Sequence, residues 1–273
     1  MFFSINIAST IAVATKARLD SIAVRGDCEC DDVHKEPPAN DVIVIVDGSD
    51  SFNVKVKVEG GFKEASAFHA TLECIKEKLV PHFKDMENVN LGVIQFSGQK
   101  PLEGSYTPGS MGDTGAKTQS GELILHWKWI LEPTENFDLP SNFVNHDTLD
   151  GNGQLWLCLQ DCALPGVLNR GNIFKAGNKK QIIVITDEEW DIKKLKGPNG
   201  KITTRDEVRK LVHNAGYEVH AIIVRPNRNK DLNEDVIQKL TASRERYHKV
   251  YTDNFDEEIS KAMRTIANKI KNH

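Results

Sequence analysis

The stretch 41-DVIVIVDGSDS-51 decides the fold. Between its first two aspartates stand Val42, Ile43, Val44, Ile45 and Val46, an unbroken β-branched run. A strand that is apolar at every position, rather than at alternate ones, belongs to a sheet covered on both faces, as parallel α/β sheets are. The glycine, serine and aspartate residues that follow are turn formers, so the strand ends at Asp47.

Working outward, 181-QIIVITD-187 repeats the pattern and also ends in an aspartate. NLGVIQFSG (90–98), YEVHAIIV (217–224) and HKVYT (248–252) read as three further strands. Helical spacing lies between them. In 62–84 the apolar residues Phe62, Ala65, Phe68, Leu72, Ile75 and Leu79 recur at steps of three and four, which predicts an amphipathic crossover helix. A second helix is predicted over 205–214 with Gly216 at its C-cap, a third over 233–243, and a last one over 255–272. The last carries Phe255, Ile259, Met263, Ile266 and Ile270 on one face. Strands alternating with helices predict an α/β, doubly wound, mainly parallel sheet with helices on both faces, a Rossmann-like arrangement.

Two regions depart from this alternation. Residues 1–40 are expected to be a leader and polar linker, ending in CECDDVHKEPPAND, with the folded domain spanning 41–273. The opening FFSINIASTIAVA ends in a small-x-small pattern but lacks a basic segment before it. It reads either as the remnant of a secretory signal or as a leader that stays on the chain. Residues 99–150 read as an inserted loop and arm: a Gly/Ser/Thr-rich stretch, then ELILHWKWILEP as an added strand or hairpin arm.

Composition narrows the function. Of 273 residues 39% are hydrophobic and 27% charged, with a net charge of -4 and both signs interspersed. That leaves no basic field for nucleic acid and provides enough apolar residues for a sizeable core. No apolar run reaches the ~20 residues a spanning helix needs, so no membrane span is expected. The five cysteines lack zinc-site spacing, and Cys158 and Cys162, four apart on a helical segment, read as small buried hydrophobes.

Ligands of open α/β sheets sit beyond the carboxyl ends of the strands, where the strand order reverses. Asp47 and Asp187 both end strands, and a carboxylate at such a point is costly unless a cation or hydrogen bonds compensate it. Ser49 and Ser51 follow Asp47 at alternate positions, so both hydroxyls can turn toward the same point. Carboxylate plus hydroxyl, without sulfur or imidazole, is the donor set of a hard cation that keeps several of its waters. Loop-capping by the same residues is the plainer reading of that stretch.

At these residues the sequence resembles the von Willebrand factor type A domain, also called the integrin inserted domain, over about 41–270. That family's metal-ion-dependent adhesion site has the pattern D-x-S-x-S after the first strand, a middle-loop threonine, and an aspartate after a later strand. Asp47, Ser49 and Ser51 match the first part and Asp187 the last. The resemblance implies a bound Mg2+ (or Mn2+/Ca2+) that bridges to a Glu or Asp of a protein ligand, hence a secreted or extracellular adhesion module and not an enzyme. It also implies a terminal helix, here 255–272, that slides as the metal shell rearranges. Two positions depart from the family pattern. Glu188 stands where the family has glycine. In NHDTLDGNGQLW, Thr148 is the best match to the middle threonine, with Asp150 and Asn152 as rivals.

The remaining signals are weaker. Arg25-Gly26-Asp27 is the tripeptide of many integrin ligands, set in the polar linker; a charged turn is its plainer reading. The nine histidines form no i,i+4 pair. Trp127, Trp129 and Trp156 read as core or arm-packing aromatics, with an exposed tryptophan on the arm as a binding anchor in the alternative. Lys193, Lys194 and Lys196 read as a solvated loop cluster. Two rival functions stand beside adhesion. One is an intracellular scaffold built on the same domain. The other is a magnesium-dependent phosphoryl-transfer enzyme, against which stand Ser49 in place of a second catalytic aspartate and the lack of a phosphate loop or nucleophile elbow.

Overall fold

The apolar run that opens the domain forms the middle of a six-stranded sheet. The computed structural model describes residues 39–59, 63–84, 86, 88–96, 113–117, 123–125, 127–134, 155–163, 177–187, 194–196, 202–225 and 235–272. In chain order the elements are β1 (Asn40–Asp47), β2 (Lys55–Val58), β3 (Lys63–Ser66) and α1 (Ala67–Cys74). A π-helical stretch (Ile75–Leu79) continues α1 into α2 (Val80–Lys84). Then come β4 (Val89–Phe96), β5 (Asp113–Lys117), β6 (Leu123–Leu125), β7 (Trp127–Thr134), α3 (Leu155–Ala163), β8 (Lys179–Thr186), β9 (Lys194–Lys196), β10 (Ile202–Thr204) and α4 (Arg205–Asn214). β11 (Tyr217–Arg225), α5 (Asp235–Leu240), β12 (Tyr247–Tyr251) and α6 (Phe255–Asn272) complete the chain.

The main sheet runs β12-β11-β8-β1-β4-β7. All its pairings are parallel except β4 with β7, which is antiparallel and carries register shifts beside Val93. Chain order reverses between β1 and β8. This is the switch point at which the carboxyl ends of neighbouring strands leave a crevice.

Period-two alternation divides the strand residues between two cores. Val42, Val44 and Val46 join Ile183, Ile185, Ile222 and Val224 beneath α1, α2 and α6, where Phe68, Leu72, Phe83, Phe255, Met263 and Ile266 are fully buried. Ile43 and Ile45 join Ile182, Val184, Val219, Ala221 and Ile223 beneath α3, α4 and α5, with Trp156, Leu159, Val208 and Leu240. The doubly covered sheet expected from the sequence is therefore present. Cys158 and Cys162 are buried on α3, and all three described cysteines are free thiols.

Three local expectations are corrected, and the alternatives in the inserted region are decided. The helix predicted over 62–84 begins at Ala67, because Lys63–Ser66 pairs antiparallel with Lys55–Val58. KVKV there alternates polar with apolar, and Ser66 is the N-cap, its side chain accepting from the His69 amide. Lys194 and Lys196 lie not in a loop but in β9, paired with β10. In the 99–150 region, which also contains the β5–β6 pair, β7 is the added strand among the sequence alternatives and forms an edge of the main sheet itself. On it Trp127 is buried and Trp129 partly so, and the Trp127 indole donates to Asp161 on α3 at 2.8 Å, which leaves neither as an exposed anchor. The helix expected over 233–243 is Asp235–Leu240.

The predicted strands and terminal helix otherwise stand where the sequence places them, and α4 ends with Ala215 as its C-cap and Gly216 at φ +84°. Among the described residues no helix is long and apolar enough to cross a membrane.

Candidate functional site

β1 and β8 lie side by side at the switch point, with Val46 registered on Ile185, so their last residues finish level. Asp47 is wholly buried. Its Oδ1 accepts the Ser49 amide at 2.9 Å, a turn closed by the side chain, and its Oδ2 accepts the Thr186 hydroxyl at 2.5 Å. The turn cannot relax away from the sheet. The Gly48 amide donates to the Phe96 carbonyl at 2.8 Å, and Phe52, fully buried in the α1/α6 core, anchors the short 3-10 segment Asp50–Asn53 that follows. Gly48 is required here, since a Cβ would lie 2.2 Å from Nε2 of the buried Gln95.

The two serines extend the polar line outward. Ser49 and Ser51 hydroxyls are 3.0 Å apart, and the Ser51 hydroxyl donates to Asp187 Oδ1 at 3.1 Å. Ser49 is buried, Asp187 intermediate and Ser51 exposed, so the cluster begins inside the protein and opens to solvent. Asp47, Ser49, Ser51 and Asp187, singled out from the sequence, are thus brought together, although Ser51 and Asp187 are 136 positions apart.

The electrostatics are those of two acids with too little compensation. Burial pushes the Asp47 carboxyl up, the neighbouring Asp187 pushes it further, and hydrogen bonds from Ser49 and Thr186 pull it back, leaving it at about 7. Burial raises Asp187 as well, against the Ser51 hydroxyl and the positive charge of Arg225. Among the described residues no group of three or more His, Cys, Asp and Glu side chains is placed to hold a metal. An ion here would have two carboxylates and two hydroxyls from the described residues and would keep water. The all-oxygen donor set and the raised carboxyls fit a hard divalent cation, whose charge would relieve the repulsion.

Three residues were not read from the sequence. Thr186 and Gln95 stand next to positions that were, and only the packing shows that their side chains meet Asp47 and Gly48. Arg225 ends β11, is 3% exposed, and donates from Nη1 to the Asp187 carbonyl at 3.1 Å. A cation terminating an apolar strand beside two acidic strand ends is a signal the sequence did carry. Thr148, Asp150, Asn152, Glu188 and Arg25-Gly26-Asp27 lie outside the described residues.

No protein-family profile and no curated protein matches the sequence. Solved structures do. The pilus adhesin SpaC from Lactobacillus rhamnosus GG, in its open conformation, aligns over 86% of this chain with 15% identity and a TM-score of 0.53. The chain spans only 30% of that adhesin's length. The conserved hypothetical protein BatB from Bacteroides thetaiotaomicron aligns over 86% of this chain and all of its own, with 17% identity and a TM-score of 0.51. The VWA domain of SpRpn10 superposes less well, at 10% identity, a TM-score of 0.48, and 82% and 93% coverage.

Proposed function

We propose that this chain, which has the von Willebrand factor type A fold, is a metal-dependent protein-binding module. Asp47, Ser49, Ser51 and Asp187 would hold Mg2+, Mn2+ or Ca2+. Thr148, matched from the sequence alone, is proposed as a further ligand. The observation that carries this reading is the polar line from buried Asp47 through Ser49 and Ser51 to Asp187, formed by two strand ends at the switch point.

The bound ion would supply a Lewis-acidic position open to a Glu or Asp side chain of a partner protein. The chain's own residues do the rest. Thr186 and the Ser49 amide orient the Asp47 carboxylate, Phe52 and Gly48 fix the turn, and the exposure of Ser51 gives a partner access. Adhesion, and a secreted or extracellular setting, are proposed on the same basis. The likeness in fold to a pilus adhesin is compatible with both.

The test is thermal unfolding with Mg2+, Mn2+ and Ca2+ titrated into chelator-treated protein. Wild type is expected to gain stability with Mg2+ or Mn2+, and Asp47→Ala to lose most of the gain. No shift in wild type, or an equal shift in Asp47→Ala, removes the metal from this site. Phosphatase activity abolished by Asp47→Ala would replace the binding reading with the enzymatic one. Metal-dependent capture of a partner that Ser49→Ala abolishes supports the module.

A further inference from the structure

Among the described residues at the site, Arg225 brings a charge that the donor set does not account for. Along β11, alternate residues Val219, Ala221 and Ile223 lie in the core under α3, α4 and α5, as do Ile43 and Ile45 of β1 and Ile182 and Val184 of β8. Continuing each row by one step reaches Arg225, Asp47 and Thr186. Register agrees, because Ile223 is paired with Thr186. The three rows therefore finish on the same face in a cation, an anion and the hydroxyl that joins the anion.

A guanidinium that is 3% exposed cannot serve as a solvated surface charge. Its Nη1 reaches the Asp187 carbonyl at 3.1 Å, and its charge acts on the Asp187 carboxylate. With both carboxyls ionised, Asp47 and Asp187 contribute two negative charges and Arg225 one positive. The three together then carry one net negative charge, and a divalent ion would turn that to one net positive. Such a site receives an anionic ligand readily and holds its cation less tightly than two aspartates alone would.

We propose that Arg225 is an internal counter-cation of this site: it compensates the Asp187 carboxylate when no ion is present and lowers the affinity for a divalent ion. The second half rests on the metal reading above. The first half does not.

Two measurements separate the halves. In chelator at pH 7.5, thermal unfolding is compared for wild type, Arg225→Gln, Asp187→Asn and the double variant. Gln is neutral and too short to keep the Nη1 bond, but the Asp187 carbonyl is present in both backgrounds, so loss of that bond cancels and the coupling isolates charge. Arg225→Gln is expected to lower the melting temperature, and the drop is expected to shrink by at least half in the Asp187→Asn background. An equal drop in both backgrounds makes Arg225 a packing residue and overturns the proposal. In the second measurement Mn2+ alone is titrated calorimetrically. Arg225→Gln is expected to bind roughly tenfold tighter than wild type, and Arg225→Lys, which keeps the charge, about as wild type does. Equal or weaker binding by Arg225→Gln overturns the second half. Wild type that binds no Mn2+ overturns the metal reading, and the unfolding cycle still decides the first half. Should Arg225→Gln not fold, Arg225→Met takes its place in both measurements.

Discussion

The Thr186 hydroxyl donates to Asp47 Oδ2, so the residue that ends β8 holds the carboxylate that ends β1, 139 positions earlier in the chain. Both are fully buried. A hydrogen bond to a buried charged acceptor contributes more than a neutral one, and an orphaned acceptor is costly. Thr186→Val, which keeps the shape, is expected to destabilise the metal-free protein by about 1–3 kcal/mol in urea unfolding. Thr186→Ser is expected to recover most of that. Equal stability of Thr186→Val and wild type would show that the bond holds geometry without net stabilisation.

Gly48 and Gln95 exclude one another's enlargement. A Cβ at position 48 meets Nε2, Cγ and Cδ of Gln95 at 2.2, 2.6 and 2.8 Å, and Gln95 is fully buried and has little room to retreat. Gly48→Ala is expected to cost about 1–3 kcal/mol as overpacking. The same change made with Gln95→Ala is expected to cost clearly less, because the obstructing atoms are gone. Additive costs in the double variant would point to the backbone instead.

The pH dependence follows from Asp47. Its carboxyl stands at about 7 in the folded chain against an ordinary 3.8, so the folded state holds the proton more tightly than the unfolded state does. Stability from this group is therefore present below about pH 4 and is lost as pH rises to about 7. In chelator, Asp47→Asn is expected to gain on wild type as pH goes from 5 to 8. Mg2+ is expected to stabilise wild type more at pH 8 than at pH 5.5, since proton and cation compete for the same oxygens. Melting curves across that range check both, and a wild-type minus variant difference that stays flat with pH contradicts the first.

Cys74, Cys158 and Cys162 are buried, and burial pushes the Cys74 thiol up to about 11 and the Cys158 thiol well above its ordinary range. Thiols packed out of solvent react slowly. Alkylation by iodoacetamide at pH 8, read by peptide mapping, is expected to label these three only after unfolding. Rapid labelling of the native protein would contradict their packing as small hydrophobes.

How much of this was legible beforehand depends on how local the signal is. The strand β1, its neighbour β8 and the helix α6 were readable because an unbroken apolar run and a three-four spacing are short-range patterns. So was the alternation that lets Asp47, Ser49 and Ser51 share one point. The β2–β3 pair was missed because the helical spacing of Ala65, Phe68 and Leu72 runs across the boundary, and the Ser66 cap marks the true start. β9 was hidden behind its lysines, since a strand of three residues is too short for alternation to register.

Sequence alone therefore determined the fold class, the ends of the strands and the candidate ligands, all of them properties of neighbours along the chain. Only the tertiary structure decided which strand ends meet. Placing β8 beside β1 brings Asp187 to Ser51 and Thr186 to Asp47, and placing β11 beside β8 brings Arg225 to Asp187. Strand order is set by how the crossovers pack their apolar faces, a balance spread over both cores, and no single segment carries it.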